Sequence, residues 1–138
     1  MDIKKRIVAL DIGTKRIGIA TCDALWMGAS PLKTINRNND KIALEEIKKI
    51  CKEYATNTIL IGIPYNMDGT LGFQAKNCLK FIEPLRKDYV ILEQDERLSS
   101  STAEEILQNQ GKKYTKNKAM VDSMAATVIL DEYLKNNR

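Results

Sequence analysis

The sequence predicts an α/β fold: a mixed five-stranded sheet, antiparallel through its first three strands and parallel through its last two, with helices on both faces. Three observations carry this. Residues 6–12, built on the apolar run Ile7-Val8-Ala9-Leu10, and residues 58–63 (TILIGI) have the pattern of strands covered on both sides. Only Gly13-Thr14-Lys15 separates the first run from the next, at 16–22. That is too short for a crossover helix, so the chain opens with a β-hairpin and not with a fully parallel Rossmann unit. From residue 39 onward helical and strand patterns alternate, which adds parallel strands by right-handed crossovers.

In the second strand Ile17, Ile19 and Thr21 alternate with Gly18 and Ala20. Residues 25–34 give a third strand, with Pro31 placing it at an edge or an end. Trp26 and Met27 read as core or edge packing within it. Asn39 or Asp40 caps a helix running to about Ala55, because Ala43, Ile47, Ile50, Cys51 and Tyr54 share one helical face. Residues 58–63 are the fourth strand, stopped by Pro64. The turn Asn66-Met67-Asp68-Gly69 leads to Thr70 as the expected N-cap of a second helix marked by Leu71, Ala75, Cys78, Leu79 and Ile82. Residues 89–94 form the fifth strand. Ser101-Thr102-Ala103-Glu104 is a capping box for a short helix ending at Gly111. A basic loop, 111–117, precedes a last helix over 118–135.

At 138 residues, 43% hydrophobic and 29% charged, the chain reads as one globular domain, residues 1–138. No apolar stretch approaches the ~18 residues of a membrane helix. The start Met1-Asp2-Ile3-Lys4-Lys5-Arg6 opens like a signal peptide, but its apolar run stops at Asp11 with no cleavage site, so a cytoplasmic protein is expected. Cys22, Cys51 and Cys78 form no C-x-x-C pair and read as small core residues in a reducing compartment. The chain has no histidine, which excludes Ser-His and Cys-His hydrolases and His-ligated zinc. Its net charge of +4 leans mildly towards a polyanionic partner.

Three acids sit at odds with their surroundings. Asp11 ends an apolar strand, where ligands of α/β sheets bind; alternatively it caps the turn through Gly13 or Thr14. Asp95 and Glu96 end the fifth strand, and only one of two adjacent residues can share a face with Asp11. Asp122 lies in a helix that is apolar nearly all round, unless it sits in the first turn and eases the helix N-terminus. Three converging carboxylates repel, at about 4 kcal/mol per pair for ~4 Å and an effective dielectric of ~20. A divalent cation makes such a cluster tolerable, and carboxylates and water are the ligands Mg²⁺ prefers. Metal-assisted phosphodiester hydrolysis needs no histidine. It also gives a role to the cations flanking these acids: Lys15, Arg16, Arg97, Lys112, Lys113, Lys116 and Lys118 as phosphate contacts. Gly18 leaves a gap where a backbone can approach.

The stretches "ALDIGTKRIGIA" (9–20), "IGIPYNMDGTLGFQA" (61–75), "DERLSS" (95–100) and "VDSMAATVIL" (121–130) resemble, in order and spacing, the YqgF or RuvX family of the RNase H-like nuclease superfamily. The resemblance implies an endonuclease dependent on Mg²⁺ or Mn²⁺ that trims the 5′ end of the 16S rRNA precursor. From the family's likeness to RuvC it also implies a Holliday junction resolvase acting on branched DNA. It makes Asp11, Asp122 and one of Asp95 and Glu96 the catalytic acids. Glu96 is preferred as the third metal ligand, although Glu93-Gln94 stand where relatives typically carry an apolar residue. A monomer would serve one RNA end; a homodimer would serve two cuts in a symmetric junction.

Two rival functions remain. D-x-G-T before a hairpin also opens the actin and sugar-kinase fold, but that fold needs two such domains around its nucleotide. A nucleic-acid-binding module without catalysis would not require all three acid positions to be filled.

Overall fold

The computed structural model describes residues 6–96 and 118–137. The elements are β1 (Val8–Ile12), β2 (Arg16–Cys22), β3 (Ala29–Asn36), α1 (Asp40–Glu53), β4 (Thr58–Ile63), α2 (Phe73–Ile82) with a 3₁₀ turn at Glu83–Leu85, β5 (Val90–Asp95) and α3 (Lys118–Asn137). The sheet order is β3-β2-β1-β4-β5. β2 runs antiparallel to both β1 and β3, while β4 is parallel to β1 and to β5. This is the mixed five-stranded architecture the sequence predicts. The expected helix over 101–111 and the basic loop over 111–117 lie outside the described residues.

β1 and β4 are interior strands covered on both faces, which accounts for their near-continuous apolar sequence. Alternate residues sort to the two sides. Val8, Leu10, Ile59 and Ile61 join Ala43 and Ile47 of α1 and Cys78 and Ile82 of α2 in the larger core. Ile7, Ala9, Ala20 and Leu60 meet Ala126, Ile129, Leu130 and Leu134 of α3 in the smaller one. Each fully buried aliphatic of α3 contributes roughly 1.5–3 kcal/mol to holding that helix on the sheet. The sheet face under it is built largely of small residues, so the helix can lie close.

Two element starts differ markedly from expectation, and the cap of α1 is one of the two residues expected. β3 starts at Ala29, because residues 23–27 are gathered into a turn instead: the Asp23 carboxylate accepts from the N–H groups of Leu25 at 3.1 Å and Met27 at 2.9 Å. Trp26 there adopts φ 57° and packs its ring edge-on to Tyr133 of α3 at 6.1 Å, while Met27 is 70% exposed and so is not a packing residue. α2 begins at Phe73 with Gly72 as N-cap. Thr70 does not cap it, since its hydroxyl donates to Asp68 Oδ1 at 2.6 Å and accepts from Asn66 Nδ2 at 3.0 Å within the loop. α1 is capped by Asn39, whose side chain accepts from the Ile42 N–H at 3.1 Å. Cys22, Cys51 and Cys78 are buried free thiols. Among the described residues no helix is long and apolar enough to cross a membrane.

Candidate active site

Asp11 follows Ile7 and Ala9 onto the α3 side of β1 and faces Gly18 of β2 in register. On its other flank, the pairing of Leu10 with Ile61 brings Gly62 of β4 level with it. Both neighbouring strands therefore lack a side chain beside the acid, and each gap is filled. A Cβ on Gly18 would lie 1.9 Å from the carbonyl oxygen of Asp122, so the α3 backbone rests directly on β2 at this point. A Cβ on Gly62 would lie 2.5 Å from Cγ of Glu96 and 2.8 Å from Cδ1 of Ile129, so the Glu96 side chain occupies that gap. Two glycines thus seat an acid from the last helix and an acid from the end of β5 on either side of Asp11.

Of the adjacent pair after β5, Glu96 is buried at 8% exposure and Asp95 is exposed. The Glu96 N–H donates to the Ile63 carbonyl at 3.0 Å, which fixes the chain where β5 ends. Its Oε1 accepts from Gln94 Nε2 at 3.2 Å, and the same amide reaches the Ile129 carbonyl at 3.0 Å and Glu132 Oε2 at 3.2 Å. Glu96 Oε2 is buried with no hydrogen-bond partner among the described residues. Burial, opposed by the Gln94 hydrogen bond and reinforced by the charges of Glu132, Asp11 and Asp95, pushes the Glu96 carboxyl up to about 8. Burial and then the Asp122 charge push Asp11 up to about 6. Carboxyls whose ionisation the fold penalises in this way are candidates for a site that takes positive charge.

Asp122 is the fifth residue of α3 and lies beyond its first turn, so easing the helix N-terminus does not explain it. Its Oδ2 accepts from Arg16 Nε at 2.7 Å. The hairpin turn is closed by its own backbone, Gly13 N–H to the Arg16 carbonyl at 2.9 Å. Asp11 is therefore not needed as a turn cap.

Asp11 lies between two spaces. A small one of about 30 Å³ is lined by Asp11, Gly62, Cys78 and Glu96, room for one or two atoms the size of water. An open cleft of about 340 Å³ is lined by Asp11, the turn residues Gly13 to Lys15, Arg16, Gln74 and Asp122. Two mutually repelling carboxylates, one with an orphaned oxygen, around a space of ionic size are a donor set that fits a hard divalent cation. Cys78 adds no thiolate, since burial and the Asp11 charge push its thiol up to about 11. With Asp122 turned to Arg16, no group of three acids or thiols among the described residues is arranged to hold a metal.

Of the expected phosphate contacts, Lys15 is exposed at the cleft and Arg16 is engaged with Asp122. Lys118 is the first residue of α3. Arg97, Lys112, Lys113 and Lys116 lie outside the described residues. Sequence reasoning missed Gln94 and Arg37. The period-two run Leu92, Gln94, Glu96 was a usable signal for Gln94, because it places a polar residue on the face that carries the acid.

Arg37 carried no such signal. Its side chain, 7% exposed, donates to the Gly13 carbonyl at 2.8 Å, Asn77 Oδ1 at 3.0 Å and Asp40 Oδ1 at 2.9 Å. Its guanidinium lies 4.4 Å from the Phe81 ring centroid. One cation thus ties the β1–β2 turn to α1 and α2. Arg37→Ala should destabilise the protein by about 2–4 kcal/mol, by loss of charge-assisted bonds and a buried cation–π contact. Urea unfolding would measure this, and a change under ~0.5 kcal/mol would show that the turn is held by its backbone alone.

Residues 5–136 match the family model described as "RuvX: Holliday junction resolvase". A chain from Clostridium acetobutylicum is 38% identical over 133 residues, covering 95% of this chain and 98% of that one. One from Crocosphaera subtropica is 42% identical over 138 residues, covering 95% and 93%. Both are named as proposed pre-16S rRNA nucleases. Among solved structures, Thermus thermophilus RuvC in complex with a Holliday junction is similar at TM-score 0.56 with 11% identity, covering 96% of each chain. The fowlpox virus resolvase bound to junction DNA is similar at TM-score 0.58 with 12% identity, covering 95% of this chain and 97% of that one. The shared fold is RNase H-like.

Proposed function

We propose, because this chain belongs to the RuvX family, that it is an endonuclease hydrolysing phosphodiester bonds in structured nucleic acid, with the 5′ end of pre-16S rRNA as its substrate. The observation that carries the chemical reading is the buried Glu96 Oε2, without a hydrogen-bond partner among the described residues, on a side chain that lines a space of ionic size together with Asp11. Asp11 and Glu96 would hold Mg²⁺ or Mn²⁺, with Asp122 as the third acid. A divalent ion bound there supplies positive charge to the scissile phosphate and acidifies the attacking water.

The chain's own residues do the rest. Gln94 holds Glu96 by one oxygen and leaves the other without a hydrogen-bond partner among the described residues. Lys15, on the cleft wall, meets the phosphate backbone; Arg97, Lys112, Lys113, Lys116 and Lys118 would extend that contact, making affinity fall with salt. With no histidine in the chain, carboxylates and bound water carry the protons. A cytoplasmic location follows from such a substrate.

A second reading, cleavage of branched DNA, is favoured by the family's description and by the junction-bound structures that share the fold. The test incubates the protein with a pre-16S leader RNA and with a four-way DNA junction, in Mg²⁺, Mn²⁺ or chelator. Metal-dependent cut ends in the RNA alone support the first reading. Paired symmetric cuts in the junction alone, from a dimer, replace it with the second. Cleavage that persists in chelator sinks the active-site assignment.

A further inference from the structure

We propose that Arg16 is a positioning residue that withholds Asp122 from the metal site, and that a backbone phosphate of the substrate takes Arg16 and frees it. The inference rests on the nuclease reading above and adds an order of events: the third acid joins Asp11 and Glu96 only when nucleic acid lies in the cleft.

The geometry carries each part. Arg16 Nε and Asp122 Oδ2 meet at 2.7 Å, at side-chain exposures of 34% and 23%, so phosphate can reach the pair. Both line the cleft that Asp11 and Lys15 also line. The α3 backbone at Asp122 is packed directly against Gly18, so the part of Asp122 that can turn between Arg16 and Asp11 is its side chain. Asp11 faces Gly18 in register, the Asp122 backbone rests on that same glycine, and both acids line one cleft, so the two are neighbours. While Arg16 holds Asp122, no three acids among the described residues form a metal-binding group. Arginine's planar fork binds a phosphate through two parallel bonds, whereas Asp122 is met here through Nε alone. A phosphate entering beside Lys15 therefore offers Arg16 a better partner. Substrate and metal then bind with positive coupling, and coupling is reciprocal.

The experiment measures Mn²⁺ affinity by electron paramagnetic resonance of the free ion, without turnover. The proteins are wild type, Arg16→Gln, Asp122→Asn, the Arg16→Gln/Asp122→Asn double variant and Asp11→Asn. Each is measured alone and with a short 2′-O-methyl RNA duplex, after subtraction of ion bound by the duplex itself. Without nucleic acid, Arg16→Gln should bind Mn²⁺ about 5- to 150-fold more tightly than wild type, the range of ordinary coupling. That gain should vanish in the double variant. The duplex should tighten Mn²⁺ binding by wild type and leave Arg16→Gln unchanged. Arg16→Lys, which keeps the charge but loses the fork, controls for general electrostatics and for folding, and should resemble wild type without the duplex. Unchanged or weaker Mn²⁺ binding by Arg16→Gln overturns the proposal and makes the ion pair a static clamp. Wild-type affinity in Asp11→Asn would instead overturn the metal site itself, so the two failures are distinguishable.

Discussion

Asp11→Asn should reduce metal-dependent cleavage by about 10³-fold or more, while making the metal-free protein more stable. The first effect follows, on the proposed reading, from removing a carboxylate that would hold the ion whose charge would supply several kcal/mol in the transition state. The second follows from the raised carboxyl of Asp11, pushed up to about 6 by burial and by Asp122. A carboxyl raised in the folded state favours folding below the unfolded value of 3.8 and loses that contribution as pH rises through the folded value. The difference between variant and wild type should therefore open between pH 4 and pH 6 and stay level above it. Its size should be about 0.5–2 kcal/mol, as when a functional site is relieved of its own repulsion. Thermal melts across pH, with and without Mg²⁺, check both halves. Added Mg²⁺ should raise the melting temperature of wild type more than that of the variant. A variant that is less stable than wild type at pH 8 without metal would show that Asp11 is a structural partner and not a penalised ligand.

Gly18→Ala should be the most damaging single-methyl addition in the described chain. The new Cβ would sit 1.9 Å from a backbone oxygen and 2.8 Å from the Ser123 backbone nitrogen, and backbone in a packed helix has nowhere to go. The alternative to α3 leaving the sheet is a strain above the ~1–3 kcal/mol of ordinary overpacking, so a loss of more than about 4 kcal/mol is expected. Gly62→Ala is the contrast. Its Cβ meets side-chain atoms of Glu96 and Ile129, which can shift, so stability should fall less while Glu96 is displaced and cleavage suffers. Gly28→Ala, with nothing within 4 Å among the described residues, is the neutral control. Urea unfolding of the three variants should rank them 18, 62, 28. Equal values for Gly18→Ala and Gly28→Ala would mean that α3 is not seated as described.

The hairpin start, the parallel second half of the sheet and the two-sided burial were legible because each is a periodicity or a loop-length constraint, and these are local. Residues 25–34 misled because Leu25, Trp26 and Met27 look like strand residues; Asp23 overrides that by binding two N–H groups within four residues. Thr70 resembled a cap, but its hydroxyl is taken by its own loop. At the site, the sequence singled out Asp11, the Asp95-Glu96 pair and Asp122 by the mismatch of acid and surroundings. It did not carry the split between a buried Glu96 and an exposed Asp95, because that depends on where β5 stops, and Glu96 is fixed by a bond to Ile63 more than thirty residues away. Arg37 was illegible for the same reason: its partners lie on three different elements.

The seat of α3 on Gly18 also has a kinetic meaning. Arg16 and Asp122 are 106 positions apart, so the site is closed by one of the longest-range contacts in the chain. A molecule with its sheet, α1 and α2 formed but α3 undocked has the hydrophobic core of the larger face and two of the acids, yet no active site. Nuclease activity therefore reports the slowest topological closure rather than collapse. On refolding it should lag the recovery of helical signal, and under mild denaturant it should vanish while most of the sheet persists.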